Sequence, residues 1–203
     1  MEKVLLIAFA DENGELAKSA FEAVTAAKSL EGASLSIGLI GKDVQNAANA
    51  LAGCGAEKIY GVSGDDFAQA RYATDAAAAE AIAKAAGATM IIAPGTSRWA
   101  RVAAGVAHRL GGSIDTHVSN ISADGGAPSI TRWYYRQRMV AKMSREARPW
   151  VISIDPGTLA PWEGEAGSAT VEAVSVDVPD SRTKVTGYKA PDVGEQTIRP
   201  EAE

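Results

Sequence analysis

Residues 90–112 read MIIAPGTSRWARVAAGVAHRLGG. The apolar run at the start of this stretch belongs to a predicted strand, Thr89–Ala93, and the pattern after the loop predicts a helix over Arg101–Leu110 that ends at two glycines. A strand that leads through a short loop into a helix is the repeating unit of α/β proteins. The stretch therefore favours an α/β fold.

The same unit occurs three times before this stretch. The predicted strands and helices alternate along the chain as Val4–Phe9, Glu15–Leu30, Leu35–Ile40, Val44–Ala52, Lys58–Val62 and Tyr72–Ala86. Such alternation indicates a parallel sheet with helices on both faces and right-handed crossovers. We therefore predict an α/β protein built as a three-layer, doubly wound, mostly parallel sheet.

The pattern changes after residue 112 to shorter strands. They are predicted over Ser113–Ile121, Ser129–Tyr135, Met139–Met143, Trp150–Ile154 and Ala169–Val178. Residues 179–203 have little apolar content, so we expect a C-terminal arm or disordered tail there. The expected folded domain is residues 1–178.

Composition excludes several functional classes. A formal net charge of −5 argues against nucleic acid as the main partner. The single cysteine, Cys54, excludes an internal disulfide framework, and two histidines make a histidine-built metal site improbable. The apolar start, Val4–Ala10, is too short for a secretion signal or a membrane span, so we expect no membrane contact and a cytoplasmic protein.

The loop Gly95–Arg101 is the first candidate binding site. In parallel sheets ligands bind beyond the carboxyl ends of the strands, and the free amides of a helix N-terminus attract anions. Arg98 and Arg101 would add charge-assisted hydrogen bonds. The alternative is that Thr96 or Ser97 caps the helix and that the arginines lie in solvent.

The second candidate is the basic stretch Arg132–Arg148, which inverts the charge of an otherwise acidic chain. Its aromatic residues, Trp133 to Tyr135, could stack on a flat ring or fill a partner's pocket. We predict that Arg132, Arg136 and Arg138 contact a partner or an anionic ligand. The alternative is a solvated basic hairpin with its aromatic residues in the core.

Acidic and histidine residues give weaker signals. The pairs Asp11-Glu12 and Asp65-Asp66 could hold a ribose or a magnesium ion, but turn and cap roles are favoured. His108 is expected to be exposed, and His117 stands beside Asp115 in a predicted strand. Because no nucleophile–base pair or metal-ligand set is recognisable, we predict no catalytic or metal residue.

The order of several segments resembles the electron transfer flavoprotein alpha subunit family. The opening KVLLIAFADENGELAKSAFEAVTAAKSL is similar to the start of that family, and GCGAEKIYGV to its GADKVYVV-type segment. Residues 90–121 resemble its TSxxGRDLAPRVAARLGxGLxTDV stretch. ITRWYYRQRMVAKM and PWVISIDPGTLAP fall where the family has TRPAYGGNALATV and PQVATVRPGVF. The resemblance covers about residues 3–178.

The resemblance implies a Rossmann-like fold of the adenine-nucleotide-hydrolase type and a heterodimer with a beta-like subunit. The related beta subunit binds AMP with its first-strand loop and with the helix after its fourth strand. Those places correspond here to Ala8, Phe9 and Asp11 and to the loop Gly95–Arg101. Because family alpha subunits generally leave their own copy empty, we expect Ser97 to cap the helix.

The departures from the family also matter. The family's Gly-Gly pair in the basic stretch is Arg136-Gln137 here, so contacts of a bare backbone cannot be transferred. Family alpha subunits continue into a second domain that binds FAD, whereas this chain ends near the expected linker. We therefore expect only the N-terminal-type domain.

The main hypothesis is an electron transfer flavoprotein alpha-like subunit without its own FAD domain. It would be an electron-transfer subunit rather than an independent enzyme, and it would pair with a beta-like subunit and help to shape a flavin or nucleotide site. The expected cofactor is FAD or AMP at the subunit interface, and the alternative is no cofactor in the isolated chain. The alternatives are a stand-alone AMP- or ATP-binding module and a homodimeric structural protein without a ligand.

Overall fold

A computed structural model describes residues 1–123, 127–178, 180, 182–187 and 189. Four helices and nine strands lie within these residues. In chain order they are β1 (Lys3–Phe9), α1 (Lys18–Lys28), β2 (Ser34–Gly41), α2 (Gln45–Ala50), β3 (Lys58–Ser63), α3 (Tyr72–Ala86), β4 (Met90–Pro94), α4 (Ser97–Arg109), β5 (Ser113–Ser122), β6 (Ser129–Tyr134), β7 (Met139–Met143), β8 (Trp150–Ile154) and β9 (Val171–Ala173).

The strands form one sheet in the order β7-β6-β5-β8-β4-β1-β2-β3-β9. Only β6 runs antiparallel to its neighbours, β5 and β7. From β1 the chain moves outward through β2 and β3, and it then crosses back to place β4 on the other side of β1. The switch point of the sheet therefore lies between β1 and β4, at the kind of crevice where α/β proteins bind ligands.

The continuous apolar runs of the strands are explained by helices on both faces. In β4 the side chains of Met90 and Ile92 pack in the core beneath α1 and α2, whereas Ile91 and Ala93 pack in the core beneath α3 and α4. All four are fully buried. A central strand of this kind needs apolar residues at every position. The predicted three-layer, doubly wound, mostly parallel α/β fold is confirmed.

Three helices begin at residues other than those predicted, although α2 begins only one residue late, at Gln45 rather than Val44. Helix α1 begins at Lys18 rather than Glu15, because Asp11 Oδ1 accepts hydrogen bonds from the amides of Asn13 and Glu15 (both 2.8 Å) and holds that segment in a turn. Helix α4 begins at Ser97 rather than Arg101. The loop after β4 is therefore shorter than predicted.

The chain between β8 and β9 crosses the helices α1 and α2. The amide of Gly157 donates to the buried carboxylate of Glu22 (2.7 Å), Trp162 N to Phe21 O (3.0 Å) and Gly167 N to Asn49 O (2.9 Å). This crossing brings β9 to the far edge of the sheet beside β3. The predicted strand Ala169–Val178 is therefore too long, since only three of its residues are in β9.

The antiparallel hairpin β6–β7 extends the sheet at its opposite edge. Strand β5 is irregular beside both of its neighbours, and His117 there has a φ of 56°. The predicted arm, residues 179–203, lies mostly outside the described residues. A long apolar helix capable of spanning a membrane is absent from the part of the chain that the structure describes.

Candidate functional site

A cleft of about 620 Å³ opens at the switch point, beyond the carboxyl ends of β1 and β4. Its walls include Phe9, Asp11, Glu12, Glu15, Thr96 and Arg98. Ala8, also predicted for this site, is buried in β1 and is 1% exposed, so only its backbone is available to a ligand. The structure thus brings the two predicted loops, Ala8–Asp11 and Gly95–Arg101, to the same edge of the sheet.

The loop after β4 is fixed by its backbone and by one cap. Gly95 N donates to Ile154 O (2.7 Å), and a Cβ on Gly95 would lie 2.8 Å from the same oxygen, so this close approach to β8 needs glycine. Thr96 Oγ1 accepts a hydrogen bond from Trp99 N (3.2 Å). Thr96 is therefore the helix cap, and the expectation that Ser97 caps α4 is wrong, because Ser97 is the first helical residue.

Arg98 lines the cleft but is held by a buried acid. Its Nε and Nη2 donate to the two carboxylate oxygens of Asp75 at 2.8 and 2.7 Å, and its Nη2 also donates to Phe67 O at 2.7 Å. The guanidinium lies 4.3 Å from the centre of the Phe9 ring. Since the Asp75 side chain is 1% exposed, the ion pair is a fixed part of the cleft wall and its charge is neutralised.

The remaining groups of the cleft fit a phosphate poorly. Arg101 is exposed outside the described lining of the cleft, and its Nη1 donates to Ala70 O at 3.1 Å. The exposed acids Asp11, Glu12 and Glu15 also line the cleft. The first-turn amides of α4 suit an anion, but the side-chain charges around the cleft oppose one.

A second cluster is built on Asp115 of β5, which is 1% exposed. Its carboxylate accepts hydrogen bonds from Arg132 Nη1 (2.8 Å), Trp150 Nε1 (2.9 Å) and both Nε and Nη2 of Arg145 (2.9 and 3.0 Å). Burial by itself raises the pKa of Asp115, but the hydrogen bonds from Arg145, Trp150 and Arg132 outweigh it and lower the pKa. Arg132 therefore anchors the hairpin to the core.

The turn between β6 and β7, residues 135–138, is exposed to solvent. Tyr135, Arg136 and Gln137 all have positive φ angles, 48°, 54° and 63°. Three such residues in succession are unusual without glycine and impose backbone strain. The structure shows no ion pair of Arg136 or Arg138 with any described acidic residue.

Beside this turn lies a pocket of about 630 Å³, which we call the turn pocket. Six of its lining residues are His117, Tyr134, Tyr135, Arg136, Gln137 and Asp155. His117 Nδ1 lies 3.3 Å from both carboxylate oxygens of Asp155, the residue that follows β8. His117 thus pairs with Asp155 and not with its sequence neighbour Asp115.

Sequence reasoning found the arginines but missed the acids that hold them. Asp75 has one recognisable signal: it lies at helical spacing from Ala79 and Ile82, on the buried face of α3, where an acid needs a partner. Asp115 gives no comparable signal, since strand alternation does not show which basic residues lie across it. The favoured turn role of Asp11 and the exposure of His108 are confirmed.

The fold and the cleft define a doubly wound α/β protein with a crevice at the switch point of a mostly parallel sheet. A comparison with family models identifies the family more closely: the electron transfer flavoprotein domain matches residues 4–180. The chain belongs to the electron transfer flavoprotein domain family. The match is consistent with the alpha-type N-terminal domain. A comparison with curated proteins gives no match.

The described residues contain no cluster of three or more histidine, cysteine, aspartate or glutamate residues that could hold a metal ion. Cys54 is buried, and burial raises the pKa of its thiol. Among the described residues, the candidate ligand-binding groups are therefore those that line the cleft and the turn pocket.

Proposed function

We propose that the chain is an electron transfer flavoprotein alpha-like subunit whose N-terminal-type domain spans residues 1–178. It pairs with a beta-like subunit and helps to shape a flavin or nucleotide site at the interface. The redox chemistry is that of the flavin, and the protein supplies its position and electrostatic environment. The family match supports this proposal.

The observation that carries the pairing is the exposed basic turn at the edge of the sheet. Arg132 and Arg145 are held by Asp115, and Arg148 by Glu2, with Nη2 2.6 Å from Oε1. Among the arginines of the stretch, these pairs leave Arg136 and Arg138 projecting into solvent. In a chain of net charge −5, a local positive turn provides electrostatic complementarity to an acidic partner surface.

The test is co-purification with a co-expressed beta-like subunit. The double charge reversal Arg136→Glu/Arg138→Glu should abolish capture of the partner by the tagged chain. Lys18→Glu/Lys42→Glu is the matched control, because it changes the net charge by the same amount at two exposed lysines that are distant in sequence from the turn. This control should still capture the partner. If the turn variant forms the complex with unchanged affinity, the assignment of the turn to the partner is wrong.

A second candidate function is a stand-alone nucleotide-binding module. The position of the cleft favours it, since Phe9, Asp11 and Thr96 surround the first turn of α4 at the switch point. If the chain is a nucleotide-binding module, Gly95–Arg101 is the phosphate loop, and Ser97, Arg98 and Arg101 lie near the anion. An adenine nucleotide without flavin, released from the purified chain by heat, would favour this function over the first.

A third candidate is a homodimer without a ligand. The edge strand β7 favours it, because Met139 and Val140 are both 57% exposed there and an open edge can pair with another strand. Light scattering over a range of protein concentrations tests this candidate. A concentration-dependent dimer that contains neither flavin nor nucleotide would support it.

A further inference from the structure

We propose that the turn pocket binds a planar heteroaromatic ring that carries a phosphate group. The pocket has a volume of about 630 Å³, within the range of about 300–1,000 Å³ usual for small-molecule sites. This inference deepens the proposed function, since it names the ligand chemistry of the basic turn. It rests on three features of the pocket: an exposed aromatic ring, a guanidinium not held by an acid, and a histidine–carboxylate pair.

The aromatic feature is Tyr135, whose side chain is 75% exposed beside the pocket. Its neighbour Tyr134 already has a partner, because the Arg132 guanidinium lies 4.4 Å from the centre of the Tyr134 ring. Tyr135 to Gln137 all have positive φ angles, and the turn that they form presents the Tyr135 ring to solvent. An exposed ring beside a pocket offers a stacking surface to a flat ligand.

The charge feature is Arg136. Arg132 also lines the pocket, but its Nη1 is held by the buried Asp115 carboxylate. Arg136 is exposed and lines the pocket through the same strained turn. A guanidinium not engaged by an acid binds phosphate oxygens through two parallel N–H donors. The anionic end of the ligand is therefore assigned to Arg136.

The third feature is the pair of His117 and Asp155. His117 contacts Asp155 through Nδ1, so Nε2 is its other hydrogen-bonding atom. The Asp155 carboxylate, 25% exposed, supplies acceptor oxygens. This wall of the pocket thus suits a ring edge that donates N–H groups. The exocyclic amine of adenine and the imide of a flavin ring share that property, so both sources of the ring are tested.

The experiment is a calorimetric titration of the purified full chain with three probes: AMP, FMN and inorganic phosphate. At least one of the two ring-bearing probes should bind more tightly than phosphate. Binding of AMP alone identifies adenine as the ring, binding of FMN alone identifies flavin, and binding of both shows that the pocket accepts either ring. Failure of both probes to bind, or equal affinity for phosphate, overturns the proposal.

Single substitutions distinguish ligand binding in the turn pocket from ligand binding at the cleft. Tyr135→Ala and Arg136→Gln should each weaken binding by about tenfold, since stacking or a charged pair contributes roughly 1–3 kcal/mol. Tyr135→Phe keeps the ring and should retain the affinity. Arg138→Gln alters the same turn outside the described lining and should change the affinity less than twofold. Loss of binding in Arg101→Gln, with Tyr135→Ala unaffected, would place the ligand at the loop Gly95–Arg101 and overturn the proposal.

The two proposals fail in distinguishable ways. If the ring-bearing probes do not bind and the beta-like partner is still captured, the ligand inference is wrong and the proposed function stands. If the probes bind with the expected variant profile and no partner is captured, the pairing is wrong and the ligand site stands. Circular dichroism melts of the variants establish that each one is folded, which is expected for substitutions in an exposed turn.

Discussion

Asp75 and Arg98 form a two-point ion pair beneath the cleft, with Nε–Oδ2 and Nη2–Oδ1 distances of 2.8 and 2.7 Å. The pair joins the first turn of α4 to the first turn of α3. It therefore supports the packing of two helices on one face of the sheet. It also removes a positive charge from the place where a phosphate would lie.

Replacing Asp75 by asparagine should destabilise the protein. The substitution leaves the largely buried Arg98 without its counter-ion, and breaking a buried pair in this way costs roughly 3–5 kcal/mol. Urea unfolding followed by circular dichroism measures the change. The double variant Asp75→Asn/Arg98→Met is the control, because it removes the uncompensated charge and should recover part of the loss. Equal stability of Asp75→Asn and the unaltered protein would show that the pair is not a structural support.

Thr96 and Ser97 allow a matched test of the helix cap. Thr96→Ala removes the oxygen that accepts from Trp99 N and should lower the free energy of unfolding by about 1 kcal/mol. Ser97→Ala should change it by less than about 0.5 kcal/mol, as for an exposed position without special contacts. Chemical denaturation of both variants measures the difference. A larger effect at Ser97 than at Thr96 would contradict the assigned cap.

The Asp115 cluster predicts a loss of stability in acid. The pKa of Asp115 is lowered in the folded protein from its ordinary value of 3.8, so the folded state favours the ionised carboxylate. Its contribution is fully present above about pH 4 and is lost as the pH falls through the lowered pKa. Stability therefore decreases with falling pH in this range.

Asp115→Asn isolates this contribution. At pH 7 the variant should be less stable by roughly 3 kcal/mol, because Arg132 and Arg145 lose a shared buried partner. The difference from the unaltered protein should shrink below pH 4, where Asp115 itself becomes protonated. Urea unfolding at pH 3, 5 and 7 gives both quantities. A difference that stays constant across these pH values would refute the linkage.

The turn at Arg136-Gln137 predicts a stabilising substitution. The resemblance places the family's Gly-Gly pair at these two positions, and both have positive φ angles in this chain. Arg136→Gly/Gln137→Gly relieves left-handed strain of about 1–2 kcal/mol per residue and adds about 0.5–1 kcal/mol of chain entropy at each glycine. The free energy of unfolding should therefore rise by about 1 kcal/mol.

The matched control for this prediction is Arg138→Gly in the same turn, a residue outside the set with positive φ. There glycine adds flexibility without relieving strain, so the variant should be slightly less stable than the unaltered protein. Thermal melts followed by circular dichroism compare the two variants. A decrease in both would show that Arg136 and Gln137 are not strained.

The fold could be predicted from the sequence because its signals are local. Apolar runs such as Leu5–Ile7 are required wherever a strand is buried on both faces, and Gly87 ends α3 in the left-handed conformation expected of a helix C-cap. The order of the strands is not local. Nothing within Trp150–Ile154 indicates that this strand lies between β5 and β4, because that position depends on contacts with residues far away in the chain.

The site could be predicted only in outline. The approach of Asp11 to Thr96 follows from the rule for the carboxyl ends of parallel strands, and the structure agrees. No such rule predicts which arginines form ion pairs and which are exposed to solvent. The sequence predicts both Arg98 and Arg136 as ligand contacts. In the structure Arg98 is held by the buried carboxylate of Asp75, whereas Arg136 projects into solvent. The difference arises because only the folded chain brings Asp75 to Arg98.

The position of β8 has a consequence for how the chain folds during synthesis. In the described residues, β8 lies between β4 and β5. It therefore joins one half of the sheet, strands β1 to β4 with β9, to the other half, strands β5 to β7. Until Trp150–Ile154 leaves the ribosome, β4 and β5 each present an unpaired edge in the middle of the nascent sheet. The last central strand to be translated thus completes the core, and folding of the two halves into one cooperative unit must wait for it.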